Sequence, residues 1–215
     1  MTEHHTEHHT VPRGRRGDWL LMNALHDAFR RDLDQLMHTT AGAAAVRARW
    51  QTFRDQLHFH HTAEDAAMWP PVRARLASLQ HSAGLALLDE MEAEHGQIDP
   101  LLTAVDDALA INAGRDRLRD LLGRLQAALA GHLAHEEAEM LPLISSVMSR
   151  AGLRRIGIAI GRRGGLRQAA VMFPWALSEA SPQVRGEVLG QLPAPARLLY
   201  RAVWLPRYRR RAVAL

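Results

Sequence analysis

Apolar residues recur along this chain at alternating steps of three and four over four long stretches, and each stretch carries titratable residues inside its apolar seam. The first runs Met22, His26, Phe29, Leu33, Leu36, and the second Trp50, Phe53, Leu57, His60, Glu64, Ala67. The third runs Leu88, Met91, His95, Ile98, Leu102, Val105, Leu109. The fourth is the longest: Leu118, Leu122, Leu125, Leu129, His132, Glu136, Met140, Leu143, Val147. The spacing predicts four amphipathic helices within residues 18–149. Asp18 is the expected N-cap of the first and Gly42 its stop. Pro70-Pro71 should kink or end the second helix, and Pro100 should bend the third, because the ring removes a hydrogen bond to residue 96. Gly84 and Gly114 fall at the connections, and short connections make antiparallel neighbours. The expected fold is all-α, an up-down-up-down four-helix bundle.

A lone histidine on an apolar face is usually a satisfied core residue. Here every helix has one, and two helices add a glutamate. Six buried titratable groups without compensation would each cost several kcal/mol, against a whole-domain stability of roughly 5–15 kcal/mol. A metal centre enclosed by the bundle resolves the conflict. A sequence repeat supports it. HHTAEDAAMWP (60–70) and HLAHEEAEMLP (132–142) share H-x-x-x-E, a following acid, and Met two residues before Pro. One helical turn separates His from Glu in each copy, so both side chains project the same way. Two such pairs on separate helices can bracket two metal ions, the carboxylates bridging and the imidazoles capping, with His26 and His95 supplied by the other helices. The competing reading is a polar layer that fixes bundle register, which needs one or two residues and not six.

Composition narrows the metal. The chain of 215 residues has no cysteine, so disulfides and thiolate sites are excluded. Histidine, carboxylate and water favour iron, manganese or zinc. Spacing alone does not choose among them.

The four stretches LHDAFRRDL (25–33), HHTAEDAAMWP (60–70), EHGQIDPLL (94–102) and HLAHEEAEMLPLI (132–144) resemble the hemerythrin-like, or HHE cation-binding, proteins. The resemblance spans about residues 18–149. It implies two non-haem iron ions, oxo- or hydroxo-bridged, held by His26, His60, Glu64, His95, His132 and Glu136. It also implies binding of O2 or a related small ligand such as NO or peroxide, for sensing or detoxification. A catalase-like or peroxidase-like di-iron enzyme is the first alternative, and iron storage or delivery, with the His-rich N-terminus as the capture segment, the second. One departure stands out. The oxygen carriers of the family use five histidines and place a second one a turn along the third helix. The matching positions here, 91 and 99, are Met and Asp. His61 and His135 are the spare candidates, each able to be a fifth ligand or a hydrogen-bonding neighbour of one. With neither bound, both irons keep an exchangeable position, which favours weak peroxide turnover over stable oxygen carriage. Asp65, Glu137 and Glu139 read as solvated or as hydrogen-bonding neighbours of ligands. His38, His58 and His81 read as solvent-facing.

Charge divides the chain near residue 150. Every basic side chain is Arg, and thirteen of the 27 lie from Arg150 onward against only Glu179 and Glu187. That segment carries about +11, and the rest about −7. Three regions follow: a His-rich tail over residues 1–17, expected to be disordered; the bundle over 18–149; and a basic helical extension over 150–215. In the extension, Ser181-Pro182 marks a helix start, and a last helix is expected from about Pro195 to Leu205. Phe173, Trp175, Tyr200 and Trp204 are expected to dock this segment on the bundle. A peripheral contact with an anionic membrane is the sharper alternative. No nucleic-acid motif is present. There is no apolar run of spanning length and no apolar signal core, so a cytoplasmic location is the expectation.

Overall fold

The computed structural model describes residues 19–213. The His-rich tail and the Asp18 cap lie outside these residues. The described residues form helices and no strands. Four rods come first. Helix α1 (Leu20–His38) is followed by α2 (Ala43–Ala63), which passes through a π-helical turn at Glu64–Met68 into α3 (Trp69–Ser78). Then come α4 (Ser82–Ala110) and α5 (Arg115–His135), the latter continuing through a second π-helical turn, Glu136–Met140, into α6 (Leu141–Val147). Helix α1 packs on α2 and α5, and α4 packs on α5, α2 and α3.

The expectation that Pro70-Pro71 ends its helix needs correction. Pro70-Pro71 neither ends nor breaks its rod. A proline cannot donate, and its ring clashes with the carbonyl four residues back. The residue before the proline instead bonds five back: Trp69 N–H to Glu64 O in the second rod, and Leu141 N–H to Glu136 O in the fourth. The widened turn absorbs the fault. It also adds a residue, so the buried position moves from the expected Ala67 to Met68. Pro100 leaves α4 unbroken. Both Pro100 and Gly96 face solvent, where water can satisfy the freed carbonyl. Gly42 is not the stop of α1, which ends at His38; Gly42 is the N-cap of α2.

Two apolar clusters fill the rods. One contains Phe29, Leu57, Ile98 and Leu129. The other contains Met68, Met91 and Met140, with Met22 packed against it. Each rod therefore contributes to both clusters, and its His and Glu residues fall between those contributions in sequence. The titratable residues form a layer between two dry cores.

The C-terminal segment forms α7 (Arg150–Ala176), α8 (Pro182–Gly190), α9 (Ala194–Leu199), a π-helical turn Tyr200–Trp204, and α10 (Leu205–Val213). Ser181 caps α8 by accepting from Val184 N–H, as its sequence suggests. The last helical stretch runs past Leu205, again through a π-turn ahead of a proline, Pro206. Helix α7 turns at Gly165, whose φ of 60° is open to glycine and costly for other residues. Its C-terminal half then lies against the bundle. Phe173, Trp175, Tyr200 and Trp204 are all buried. Trp175 joins the same core as Phe29 and Leu57, and the other three pack with Ala24 of α1. The aromatics thus dock the segment. No helix among the described residues is long and apolar enough to cross a membrane.

Candidate metal centre

His60 and His61 are neighbours in the last turn of α2, about 100° apart around the helix axis. That angle sends them to different neighbours. His60 turns toward α1, with its ring 5.2 Å from His26 and 5.3 Å from Phe29. His61 turns toward α4 and stacks on His95 at 3.9 Å, with His132 edge-on at 5.4 Å. Both are buried.

Two groups of imidazoles result. His26 and His60 share a cluster with Glu136, while His61, His95 and His132 form another; in each, the candidate ligand atoms lie within 4.8 Å of one another. The carboxylates sit between. Glu64 Oε1 is 3.3 Å from His60 Nε2, and its Oε2 is 3.5 Å from His95 Nε2. Glu136 Oε2 is 3.1 Å from His26 Nε2, and Glu136 also groups with Glu64 and His132. Each glutamate therefore faces both groups. All six expected residues come together, and His61 joins them. His135 does not. Its Nδ1 meets Glu94 Oε1 at 2.8 Å, and its side chain is 24% exposed.

The outer side of the layer is acidic. The residue after Glu64 and the residue after Glu136 each reach back to the Nδ1 of a histidine on another rod. Asp65 Oδ1 lies 3.0 Å from His95 Nδ1, and Glu137 Oε1 lies 2.7 Å from His26 Nδ1. Glu94 Oε2 lies 2.8 Å from His132 Nδ1. A carboxylate behind Nδ1 fixes the ring and leaves Nε2 for the interior, the usual arrangement behind a metal-bound histidine. Sequence reasoning allowed such a role for Asp65 and Glu137 but missed Glu94, although it directly precedes His95.

The inner side lacks partners. Nε2 of His26, His60 and His61, and both carboxylate oxygens of Glu64 and of Glu136, are buried with no hydrogen bond. His26 Nε2 and Glu136 Oε2 approach closely but are not aligned for one. Seven such atoms at roughly 1–3 kcal/mol each would consume a domain's stability. A register-fixing polar layer would satisfy itself, and this one does not. Its unsatisfied atoms are lone-pair donors facing one space, which is what a bound cation requires.

Electrostatics in the metal-free chain divide the layer. Burial, then the neighbouring imidazoles, push His60 and His61 well below the usual histidine value. Burial and then His95 lower His132, against Glu94. These rings are held neutral and able to ligate. Burial, then the proximity of Glu136 and Asp65, push Glu64 well above the usual carboxylate range. Burial opposes charge on His26 as well, but Glu136 and Glu137 together outweigh it and raise it to about 9.

Residues 20–144 match the model of the hemerythrin HHE cation-binding domain. The chain belongs to the hemerythrin HHE cation-binding family. Comparison with curated proteins and with solved structures finds no match. The HHE match covers all four rods and ends two residues past Pro142, so α7 to α10 lie beyond it. The family binds cations, and the unsatisfied His and Glu atoms lie within the matched region.

Proposed function

We propose that the layer holds two non-haem iron ions in an up-down-up-down bundle. His26 and His60 would serve one ion, His61, His95 and His132 the other, with Glu64 and Glu136 between them. The observation that carries this reading is the placement of Glu64, one oxygen toward each histidine group. An iron pair would supply redox chemistry toward O2, NO or peroxide, for sensing or detoxification. The chain's own groups orient the imidazoles through Asp65, Glu94 and Glu137. They exclude bulk water by burying every proposed ligand, with Phe29 against His60 and Trp69 6.4 Å from His95. A cytoplasmic location is part of the same proposal.

The seating of His61 revises the ligand count. Five histidines and two carboxylates converge, the complement that the resemblance ascribes to oxygen carriers, with His61 of α2 standing in for the missing histidine of α4. The imidazoles are shared unequally, three and two. An exchangeable position is therefore expected on the side of His26 and His60 only, which favours one-sided binding of a small ligand over peroxide turnover. Elemental analysis should find close to two irons per chain, with a visible spectrum that changes reversibly with oxygen. Sustained peroxide consumption would favour the enzyme reading. Well over two irons per chain would favour storage. A metal-free chain after iron-replete expression would refute all three.

A further inference from the structure

A second cavity lies away from the histidine layer, between α1, α2 and the C-terminal helices. Its volume is about 690 Å³, within the range of roughly 300–1,000 Å³ common for small-molecule sites. Val46, Val171 and Tyr208 supply a partly buried apolar wall, backed by the buried Trp175 and Trp204. Arg31 and Asp32 form a fixed floor: Arg31 donates to Asp32 Oδ1 at 2.8 and 2.9 Å and to Ser178 Oγ at 3.0 Å, and Trp175 Nε1 donates to Asp32 Oδ2 at 2.7 Å. These groups satisfy one another.

The remaining cations do not. Arg49 comes no nearer to Asp32 than 3.8 Å, and that carboxylate is already occupied. Arg167 and Arg207 also line the cavity and make no ion pair or side-chain hydrogen bond with a described residue. Glu179 is held by Gln35 at 3.0 Å. The cavity therefore joins apolar walls to Arg167 and Arg207, which pair with no carboxylate among the described residues, and guanidinium suits carboxylates and phosphates.

We propose that this cavity binds one small anion with an apolar body, of the class of a medium-chain carboxylate. The anionic head would meet Arg167 and Arg207, and the body would lie on the partly buried Val46, Val171 and Tyr208. A polyanion or membrane fits less well, because this apolar lining is partly buried between helices and does not stand on the outside of α7. The inference rests on the cavity alone and stands whether or not the histidine layer carries iron.

The test titrates the full chain with decanoate, decanol and inorganic phosphate, following heat and tryptophan fluorescence. Decanoate should saturate at one per chain, weaken with salt, and bind at least tenfold tighter than either control. The double variant Arg167→Glu, Arg207→Glu changes only exposed side chains and should weaken decanoate at least tenfold with an unchanged circular dichroism spectrum. Ala170→Trp, which fills the cavity from α7, should block binding independently of charge. Equal binding of decanol would reduce the cavity to an apolar crevice, and equal binding of phosphate to a surface anion patch. Either result, decanoate binding indifferent to both variants, or no saturable decanoate binding at millimolar concentration, overturns the proposal.

Discussion

The two histidine groups on either side of Glu64 and Glu136 each hold the leading histidine of one copy of a sequence repeat, His60 or His132, yet they are not equivalent. His61, His95 and His132 are three stacked or edge-on rings, and burial with the neighbouring rings pushes His61 and His132 down. His26 and His60 are only two, and His26 lies between Glu136 and Glu137, which hold its proton. The repeat sets the pair His–Glu on one helix. The partner rods set everything else: α4 offers Glu94 and the stacking face of His95, whereas α1 offers Phe29 and no carboxylate bonded to a ring of the layer. A near-symmetric sequence thus yields one imidazole-rich side and one poorer side, and the poorer side is where a small ligand should enter.

The largest effect that can break this comparison is removal of a bridge. If the proposed iron pair is bound, Glu64→Ala and Glu136→Ala should each lose most of both irons, since each glutamate faces both groups; a variant that kept one full iron equivalent would show the sides to be independent. Next, His61→Ala should deplete the three-ring side and change the iron spectrum, while His135→Ala should leave iron content and spectrum unchanged. Equal outcomes for the two variants would remove the basis for the asymmetry. Smaller effects follow from the acids behind the rings. Asp65→Asn acts on His95 and Glu137→Gln on His26, and each should weaken metal binding by about 10–100-fold. Competition with a graded chelator would measure both.

The smallest effect concerns protons in the metal-stripped chain. His26 has a folded-state value near 9, above its ordinary 6.5. Its stabilisation is therefore complete below about pH 6.5 and lost as pH rises toward 9. Glu64, raised by burial, acts in the same direction, because the folded state resists its ionisation. The depressed His60, His61 and His132 act only below pH 6.5, where protonation favours unfolding. Melting temperature of the stripped protein should thus fall between pH 6.5 and 9, and Glu137→Gln should flatten the fall. A rising or level wild-type profile would show that His26 is not held protonated.

Much of this was legible in the sequence because helical periodicity is local. The four rods, their buried seams and all six expected site residues follow from spacing of three and four and from the need to compensate buried charge. The matched Met and Pro of the repeat were visible too, but their meaning was not. They delimit the π-turns, since a proline at 70 or 142 forces the preceding residue to bond five back, and that turn starts at Glu64 in one rod and at Glu136 in the other.

Tertiary structure alone decided three matters. It chose His61 over His135: both lie one position from a seam, and only the neighbour each one meets, His95 or Glu94, separates ligand candidate from ring-orienting partner. It recruited Glu94, whose position on α4 reads as solvent-facing until His132 of α5 packs beside it. It also placed Trp175 of the basic segment on Phe29, 5.1 Å away, and so next to the ring that contacts His60. Periodicity fixes which face of a helix is buried. It does not fix which rod that face meets, and here the meeting of α2 with both α1 and α4 turned adjacent histidines into members of different groups.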